Sequence, residues 1–439
     1  MSSATSWHQG LTAQHWKVLL GSFLGWVFDG YEAYALVVVL PMAMKMLLLP
    51  EQWPSQAVYA GTAIGVTLLG WGLGGLAGGV LADYWGRKRV MLWSVFLYAL
   101  FSGLTALVSD FTQLVMLRFV TGLAMGSEWA TGVSLLAETW PNRARPKGAG
   151  LLQSGFGWGT LLAALVWFYL SSNLPLGANS WRLMFVVGAL PALFVLYIRR
   201  TLDESEKWKA AVMARRWAAT EGATGNVSRE RPFTLFQLFS EPEAFRRTLL
   251  AFVLSATTTT GWWAISSWLP VHTVGLAKAA GLENPVVWGA RVALIYTVGA
   301  IAAYMLAGFI IDRTGRRWFL WFTYLGSFLM TVWTYQWVKD VETMMWVAPL
   351  NGFFTLGCAY VWMAIYPPEL FSTTVRATAA SVIFNAARLV TWVFPIIAGT
   401  LIKTFGSVSQ AALSIGLVYL LGLVVPWFLP ETTGQELPD

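Results

Sequence analysis

Long apolar runs separated by short polar segments dominate this chain. Runs of 18 or more residues recur, and each is long enough to cross the ~30 Å hydrocarbon core of a bilayer at about 1.5 Å per helical residue. The pattern predicts an all-α, multi-pass membrane protein with twelve transmembrane helices. The predicted spans are 17–41, 58–82, 90–109, 112–137, 149–170, 182–199, 248–273, 289–311, 318–338, 343–366, 377–402 and 408–429.

The segment 200–247 interrupts this pattern. It is rich in Arg, Lys, Glu and Asp and lacks an apolar run of spanning length. We interpret it as a cytoplasmic linker between an N-terminal six-helix half, residues 1–199, and a C-terminal six-helix half, residues 248–439.

Composition agrees with a membrane location. Of the 439 residues, 56% are hydrophobic and 12% are charged, about half the charged fraction of a soluble domain. Most of the 29 Lys and Arg residues fall in alternate loops, which predicts cytoplasmic termini in the plasma membrane. This bias explains the net charge of +7 without a nucleic-acid partner. A single Cys358 and three scattered His residues give no disulfide, metal site or bound cofactor.

Two loop motifs occur twice at nearly one spacing. The pattern G-x-x-x-D-x-x-G-R-[KR] recurs after 229 residues, and E-x6-R recurs after 231. We interpret this as a duplication of six helices about a pseudo-two-fold axis along the membrane normal, with the loops acting as gates. The gating residues are Gly79, Asp83, Gly86, Arg87, Lys88, Glu138 and Arg145, then Asp312, Gly315, Arg316, Arg317, Glu369 and Arg376.

These doubled motifs resemble those of the major facilitator superfamily of secondary transporters. The stretches LRFVTGLAMGSEW, AETWPNRARPKGAG and LPETTG are similar to its sugar-porter-related branch, and within it to the proton symporters of sialic acid and lactate. Aromatic-acid proton symporters, whose first helix carries D-G-x-D, are a near second, since this chain reads Asp29-Gly-Tyr-Glu32. The resemblance implies a monomer that works by alternating access, with protons as the coupling ion.

Five ionisable residues lie well inside predicted spans: Asp29, Glu32, Arg118, Glu128 and Arg388. A charge at such a depth costs about 2.5–3.5 kcal/mol on insertion scales, so these residues usually mark an ion or substrate path. Asp29 and Glu32 share one helical face. We predict that at least one of the two binds the coupling proton. The alternative is that one acid permanently pairs with Arg118 or Arg388 and holds helices together.

Arg118 stands four and eight residues before Gly122 and Gly126, which let another helix approach a buried charge. The resemblance implies that Arg118 relays protons or fixes the acids of the first helix; a purely structural Arg is the alternative. Glu128 is a candidate second proton site or gate partner.

Arg388 is the predicted anchor for an anionic substrate, because its planar fork matches a carboxylate. The alternative is a salt bridge to Asp29 or Glu32 in one conformation. Further predicted substrate contacts, each also compatible with packing, are Asn385, Gln153, Tyr31, Tyr34 and Trp392. Trp26, Phe156 and Trp263 are additional candidates to line the cavity.

The predicted function is proton-coupled uptake of a small organic carboxylate. The alternative is transport of an uncharged, sugar-like solute by uniport or proton symport. Drug export is disfavoured because the fifth span contains no proline, and no nucleophile–base pairing or phosphate loop indicates an enzyme.

Overall fold

The computed structural model describes residues 10–141, 144–194, 197, 200, 204, 238–371 and 376–435. Over these residues it is helical and contains no strand. Eight of its helical segments are long and apolar enough to cross a membrane. They are Ala13–Leu47, Pro50–Gly79, Lys147–Asn173, Pro242–Ala279, Pro285–Thr314, Val341–Ile365, Thr378–Phe405 and Val408–Phe428.

The other four predicted spans coincide with helices that are shorter or more polar. Arg316–Val332 has 17 residues, and Arg182–Gly188 has 7 before a 3-10 turn. Arg87–Thr105 begins with basic residues, and Phe111–Thr139 carries two of the intramembrane charges. Length and composition alone therefore identify eight spans.

The first group of helices, which we call the N-terminal set, is largely uninterrupted. Its members are α1 (Ala13–Leu47), α2 (Gln56–Trp85), α3 (Arg87–Thr105), α4 (Phe111–Thr139), α5 (Arg145–Asn173) and α6 (Arg182–Gly188). Short 3-10 turns occur at Pro50–Ser55, Gly177–Asn179 and Leu190–Leu193.

The second group, the C-terminal set, is more broken. Its helices are α7 (Pro242–Ala264), α8 (Leu269–Ala279), α9 (Pro285–Thr314), α10 (Arg316–Val332), α11 (Val341–Gly352), α12 (Ala359–Ile365), α13 (Pro367–Leu370), α14 (Arg376–Ser381), α15 (Ala387–Thr391), α16 (Phe394–Phe405), α17 (Val408–Gly416) and α18 (Leu421–Val424). Three π-helical turns join some of them, at Trp333–Trp337, Phe353–Cys358 and Val382–Ala386. Further 3-10 turns are Ser266–Trp268, Leu417–Leu420 and Val425–Phe428.

Glycines set the closest helix contacts. Within the N-terminal set α2 packs on α4, and a Cβ added to Gly74 would lie 1.9 Å from the carbonyl oxygen of Leu123. Between the sets α2 packs on α16, where a Cβ on Gly61 would lie 2.1 Å from the carbonyl oxygen of Pro395. Only a residue without a side chain permits such backbone contact. α5 and α9 form a second contact between the sets.

The duplicated motif folds into the same turn twice. Gly86 (φ 98°) ends α2 and begins α3, and Gly315 (φ 84°) ends α9 and begins α10. Both φ angles lie in the left-handed region that favours glycine. The motif glycines therefore have a structural reason in both sets.

Candidate functional site

One intramembrane ion pair is complete within the N-terminal set. Arg118 Nη1 lies 2.5 Å from Glu32 Oε1, and each side chain is 1% exposed. The other Glu32 oxygen accepts a hydrogen bond from the Ser102 hydroxyl at 2.5 Å. Arg118 Nη2 donates to the hydroxyls of Thr105 (2.7 Å) and Thr121 (3.2 Å). Both charges thus have opposite-charge and hydrogen-bond partners, and the pair ties α1 to α3 and α4.

A second pair of acids in the same set has no such partners among the described residues. Asp29 and Glu128 are both fully buried and interact with each other. Within the described residues, no third group forms a hydrogen bond with either carboxylate. Glu128 occupies space that Gly25 leaves free, since a Cβ there would lie 1.9 Å from Glu128 Oε1. Two adjacent buried carboxylates repel each other unless a proton or cation lies between them.

Arg388 brings a cation from the C-terminal set to this region. It is 2% exposed, and its Nη1 donates to the carbonyl of Phe384 in the preceding π-helical turn. The guanidinium carbon lies 4.7 Å from the ring centre of Trp71 and 4.0 Å from that of Phe384. Arg388 interacts with Asp29 through space, but in the described part of the chain no carboxylate forms an ion pair with it. Its nearest contacts are thus two aromatic rings and a backbone carbonyl, with Asp29 farther than ion-pair distance.

Eight buried aromatic side chains from both sets pack against one another beside Arg388, and we call them the aromatic box. They are Trp26, Trp71, Trp129 and Phe156 from the N-terminal set, and Trp262, Trp263, Tyr360 and Phe384 from the C-terminal set. The rings of Trp129 and Phe384 stack across the two sets with centroids 3.7 Å apart. The indole N–H groups of Trp26, Trp71 and Trp262 have no acceptor among the described residues. The box is therefore an apolar cluster whose indole N–H groups include donors without an acceptor in the described part of the chain.

Two of the predicted substrate residues lie beside the aromatic box. The Asn385 side chain is buried against Gly75, and neither of its amide atoms has a hydrogen-bond partner in the described structure. Gln153 Oε1 accepts a hydrogen bond from the Trp129 indole at 3.0 Å, while its Nε2 has no partner among these residues. Both amides hold unused polar atoms at the contact between the sets.

The remaining predicted substrate residues lie elsewhere or serve packing. The Tyr31 hydroxyl donates to the carbonyl of Met184 at 2.8 Å and so anchors α6 to α1. The Tyr34 ring lies 6.2 Å from that of Trp262, at the edge of the box. Trp392 is half-buried, and its carbonyl rather than its ring meets the α2 glycine Gly65.

Comparison with family models identifies the family of this chain. A model of the sugar (and other) transporter family matches residues 18–439. The chain belongs to this family. It is therefore a secondary transporter and not an enzyme, as the sequence predicted.

Individual relatives of the transporter are named for acids and other metabolites. A putative metabolite transport protein of Haemophilus influenzae is 30% identical, over 96% of this chain and 98% of its own length. The sialic acid transporter NanX of Escherichia coli is 32% identical over 47% of this chain and 48% of its own length. A cis,cis-muconate transport protein of Acinetobacter baylyi is 25% identical over 94% and 93%.

The solved structures agree on the fold. The proton:xylose symporter XylE of the major facilitator superfamily matches with a TM-score of 0.73 at 18% identity, covering 97% of this chain and 98% of its own. The transporter is thus a multi-pass membrane protein with the major facilitator fold. The resemblance inferred from its loop motifs is confirmed.

The second copy of the loop motif forms a dense polar cluster in the transporter. The Arg316 guanidinium binds Glu369 through two parallel contacts of 2.9 and 2.7 Å. Glu431 accepts the backbone N–H of Arg316 at 2.9 Å and that of Arg317 at 3.1 Å. The Thr432 hydroxyl donates to Glu369 at 2.5 Å. The segment after the last span is thereby fastened to the start of α10, and we call this cluster the C-terminal latch.

The first copy shows part of the same arrangement. The backbone N–H of Lys88 donates to the Glu204 carboxylate at 3.3 and 3.2 Å, as Arg317 does to Glu431. Asp312 binds Lys147 of the other set at 3.1 Å and Arg316 at 3.6 Å. The side chains of some predicted gating residues lie outside the described part of the structure: Asp83, Arg87, Glu138, Arg145 and Arg376.

Several residues of these clusters were not predicted. Glu204 and Glu431 each follow a Leu by two positions, in LDE and LPE, and this shared pattern was a usable signal. Tyr98 and Ser102 stand four apart in the third span, which places two polar groups on one helical face. Trp71 lies among the glycines of α2, a stretch that reads as packing alone.

Proposed function

We propose that this protein imports a small organic carboxylate across the cytoplasmic membrane, driven by the entry of protons and working by alternating access. The proposal includes twelve spans in two six-helix halves related by an axis along the membrane normal, with both termini in the cytoplasm. The observation that carries it is Arg388, a buried cation between the two sets with which no carboxylate of the described residues forms an ion pair.

A buried guanidinium without a counter-ion is costly, and an anionic substrate would supply the missing partner. The planar fork of Arg suits a carboxylate because it can donate two parallel hydrogen bonds. Relatives named for sialic acid and for cis,cis-muconate support an acid as the class of substrate.

The side chains of the aromatic box favour one class of acid as the substrate. A substrate beside Arg388 would lie against aromatic faces, which favour a flat, conjugated body, and the indole N–H groups that have no acceptor among the described residues would donate to its oxygens. We therefore favour a planar unsaturated or aromatic acid over a small aliphatic one.

Transport of a neutral, sugar-like solute is the second candidate. It is favoured by the buried hydroxyls of Thr257 and Thr260 on α7, which have no partners among the described residues. These groups could bind the hydroxyls of a polyol without any charge.

The test is uptake by the purified protein in proteoliposomes under an imposed inward pH gradient. The panel contains aromatic and conjugated acids, sialic acid, lactate, the uncharged amides of the acids, and sugars. We expect accumulation of a conjugated acid that stops when the gradient is collapsed, and no competition by its amide. Accumulation that persists without the gradient would refute proton coupling.

Arg388→Ala should weaken apparent affinity for the acid by about 10- to 100-fold, since hydrogen bonds to charged groups contribute about 1.5–3 kcal/mol. Arg388→Lys keeps the positive charge but loses the planar fork, so its apparent affinity should lie between those of the wild type and of Arg388→Ala. Equal affinity in all three proteins, or competition by the amide as strong as by the acid, would favour the neutral solute.

A further inference from the structure

Two acids of α1 stand three residues apart, yet the structure gives them opposite surroundings. Building on the proposed function, we infer that Asp29, Glu128 and Tyr98 together form the binding site of the coupling ion, a single proton shared by the two carboxyls. Glu32 remains in its ion pair with Arg118 throughout transport.

Both carboxylate oxygens of Glu32 already have partners. One of its oxygens contacts the Arg118 guanidinium and the other accepts from Ser102, each at 2.5 Å. Arg118 is held in turn by Thr105 and Thr121. Breaking this ion pair would leave the buried Arg118 guanidinium without its counter-ion. We therefore infer that the pair stays intact and holds α1, α3 and α4 together.

The surroundings of Asp29 and Glu128 require a proton. Both are fully buried, they interact with each other, and no donor of the described chain reaches them. The Tyr98 hydroxyl on α3 is also buried, it has no hydrogen-bond partner among the described residues, and it interacts with both acids. One proton between the carboxyls removes their repulsion and supplies the missing donor.

The groups that face Asp29 come from four helices. They are Glu32 on α1, Tyr98 on α3, Glu128 on α4 and Arg388 on α15. Of these, Arg388 is the group through which Asp29 can respond to substrate. When a substrate carboxylate takes the guanidinium, the attraction between Arg388 and Asp29 is lost, and the acid pair then holds its proton more tightly. One anion and one proton would enter together, without net charge.

Tyr98 is a positioning residue in this account. Its hydroxyl can donate to one carboxyl and so orient the pair toward sharing the proton. It touches no substrate in the proposed mechanism, so its removal should alter the pH profile of transport more than the affinity for the acid.

The experiment compares two readouts in proteoliposomes containing the full-length protein, using the acid identified in the uptake panel. Exchange of labelled acid without a gradient reports binding and alternation; accumulation under a pH gradient reports coupling. With one proton per neutral cycle, one pH unit should sustain about tenfold accumulation in the wild type. In Asp29→Asn and Glu128→Gln we expect exchange to continue while the accumulation ratio falls to about one.

The matched control removes the other acid together with its partner, as Glu32→Gln/Arg118→Gln. Its accumulation ratio should stay near tenfold at one pH unit, whatever its rate. Gly25→Ala provides a second variant that keeps every charge, because its Cβ would displace the Glu128 carboxyl. We expect it to lose coupling as Glu128→Gln does. Tyr98→Phe should move the pH of half-maximal accumulation, whereas a purely structural role would change only the amount of folded protein.

The outcomes separate this inference from the proposed function. If the wild type shows no accumulation driven by pH, the proposed function fails. If the wild type accumulates the acid and Glu128→Gln does so equally well, or if the control double variant alone loses coupling, only the present inference fails. Accumulation driven by a sodium gradient at constant pH, and abolished by Glu128→Gln, would overturn the proton as the occupant.

Discussion

The N-terminal and C-terminal sets share a duplicated loop motif, but they differ in what their helices carry. Four of the five predicted intramembrane charges lie in the N-terminal set, whose spanning helices are largely continuous. The C-terminal set contributes Arg388 alone, and its helices are interrupted by three π-helical turns in the described residues. Intramembrane charge is thus concentrated in the N-terminal set, and irregular helical backbone in the C-terminal set.

The π-helical turn at Val382–Ala386 shows why this difference matters. A π turn changes the backbone hydrogen-bond pattern, and such turns are frequent at functional sites. Here the carbonyl of Phe384 accepts from the Arg388 guanidinium. A substrate that takes this guanidinium would release that carbonyl, so binding and helix geometry are linked in the C-terminal set.

The largest effect is expected from Arg118→Ala, which removes the ion pair of the N-terminal set. It leaves Glu32 buried without a counter-ion, which should cost about 3–5 kcal/mol of stability. We expect little folded protein, as measured by thermal unfolding in detergent and by recovery from size exclusion. The double variant Glu32→Gln/Arg118→Gln should recover most of that loss. Wild-type stability in Arg118→Ala would show that the N-terminal set does not depend on this ion pair.

A smaller effect is expected in the C-terminal latch. Glu369→Gln replaces a charged acceptor of two Arg316 hydrogen bonds with an amide, and should cost about 1.5–3 kcal/mol. The unfolding temperature should fall, while Glu342→Gln, at an exposed position on α11, should leave it unchanged. A fall of equal size in both variants would show that the latch contributes no specific stability.

The latch should also respond to pH through Glu431. Burial raises the pKa of this carboxyl, but hydrogen bonds from the Thr433 hydroxyl and from backbone N–H groups outweigh burial and lower it. A lowered folded-state pKa contributes stability above the ordinary value of 4.5, and this is lost as pH falls through the folded pKa. The difference in unfolding temperature between wild type and Glu431→Gln should therefore shrink below about pH 4.5. A difference that is constant from pH 7 to pH 3.5 would contradict this role.

The smallest effect should come from the bridge between the sets. Lys147 and Asp312 are 20% and 36% exposed, so their contact should contribute only about 0–1 kcal/mol. Asp312→Asn should leave thermal stability nearly unchanged and shift the balance between outward-open and inward-open forms. The measurement is labelling of a cysteine placed at this contact in a variant lacking Cys358. Labelling equal to that of the intact bridge would mean that the contact does not hold the sets together.

The sequence predicted the fold because hydropathy and a doubled motif both report on the whole chain. It also selected Asp29, Glu32, Glu128 and Arg388, since charge in an apolar run is conspicuous. Which acid pairs with Arg118 could not be predicted, because Asp29 and Glu32 are on one helical face and the choice depends on Ser102 of another helix. The aromatic box was equally hidden, because aromatic residues are abundant in this chain and only tertiary contact distinguishes Trp129 from a residue at the lipid surface.

The contact between α2 and α16 has a mechanical consequence. Backbone meets backbone there, at Gly61 against Pro395 and again where a Cβ on Gly399 would lie 2.2 Å from the carbonyl oxygen of Ala57. Two helices that meet without interdigitated side chains can tilt relative to one another without first separating such side chains. This contact can serve as a pivot between the two helices, and a single methyl group added at Gly61 or Gly399 should push them apart and hinder that motion.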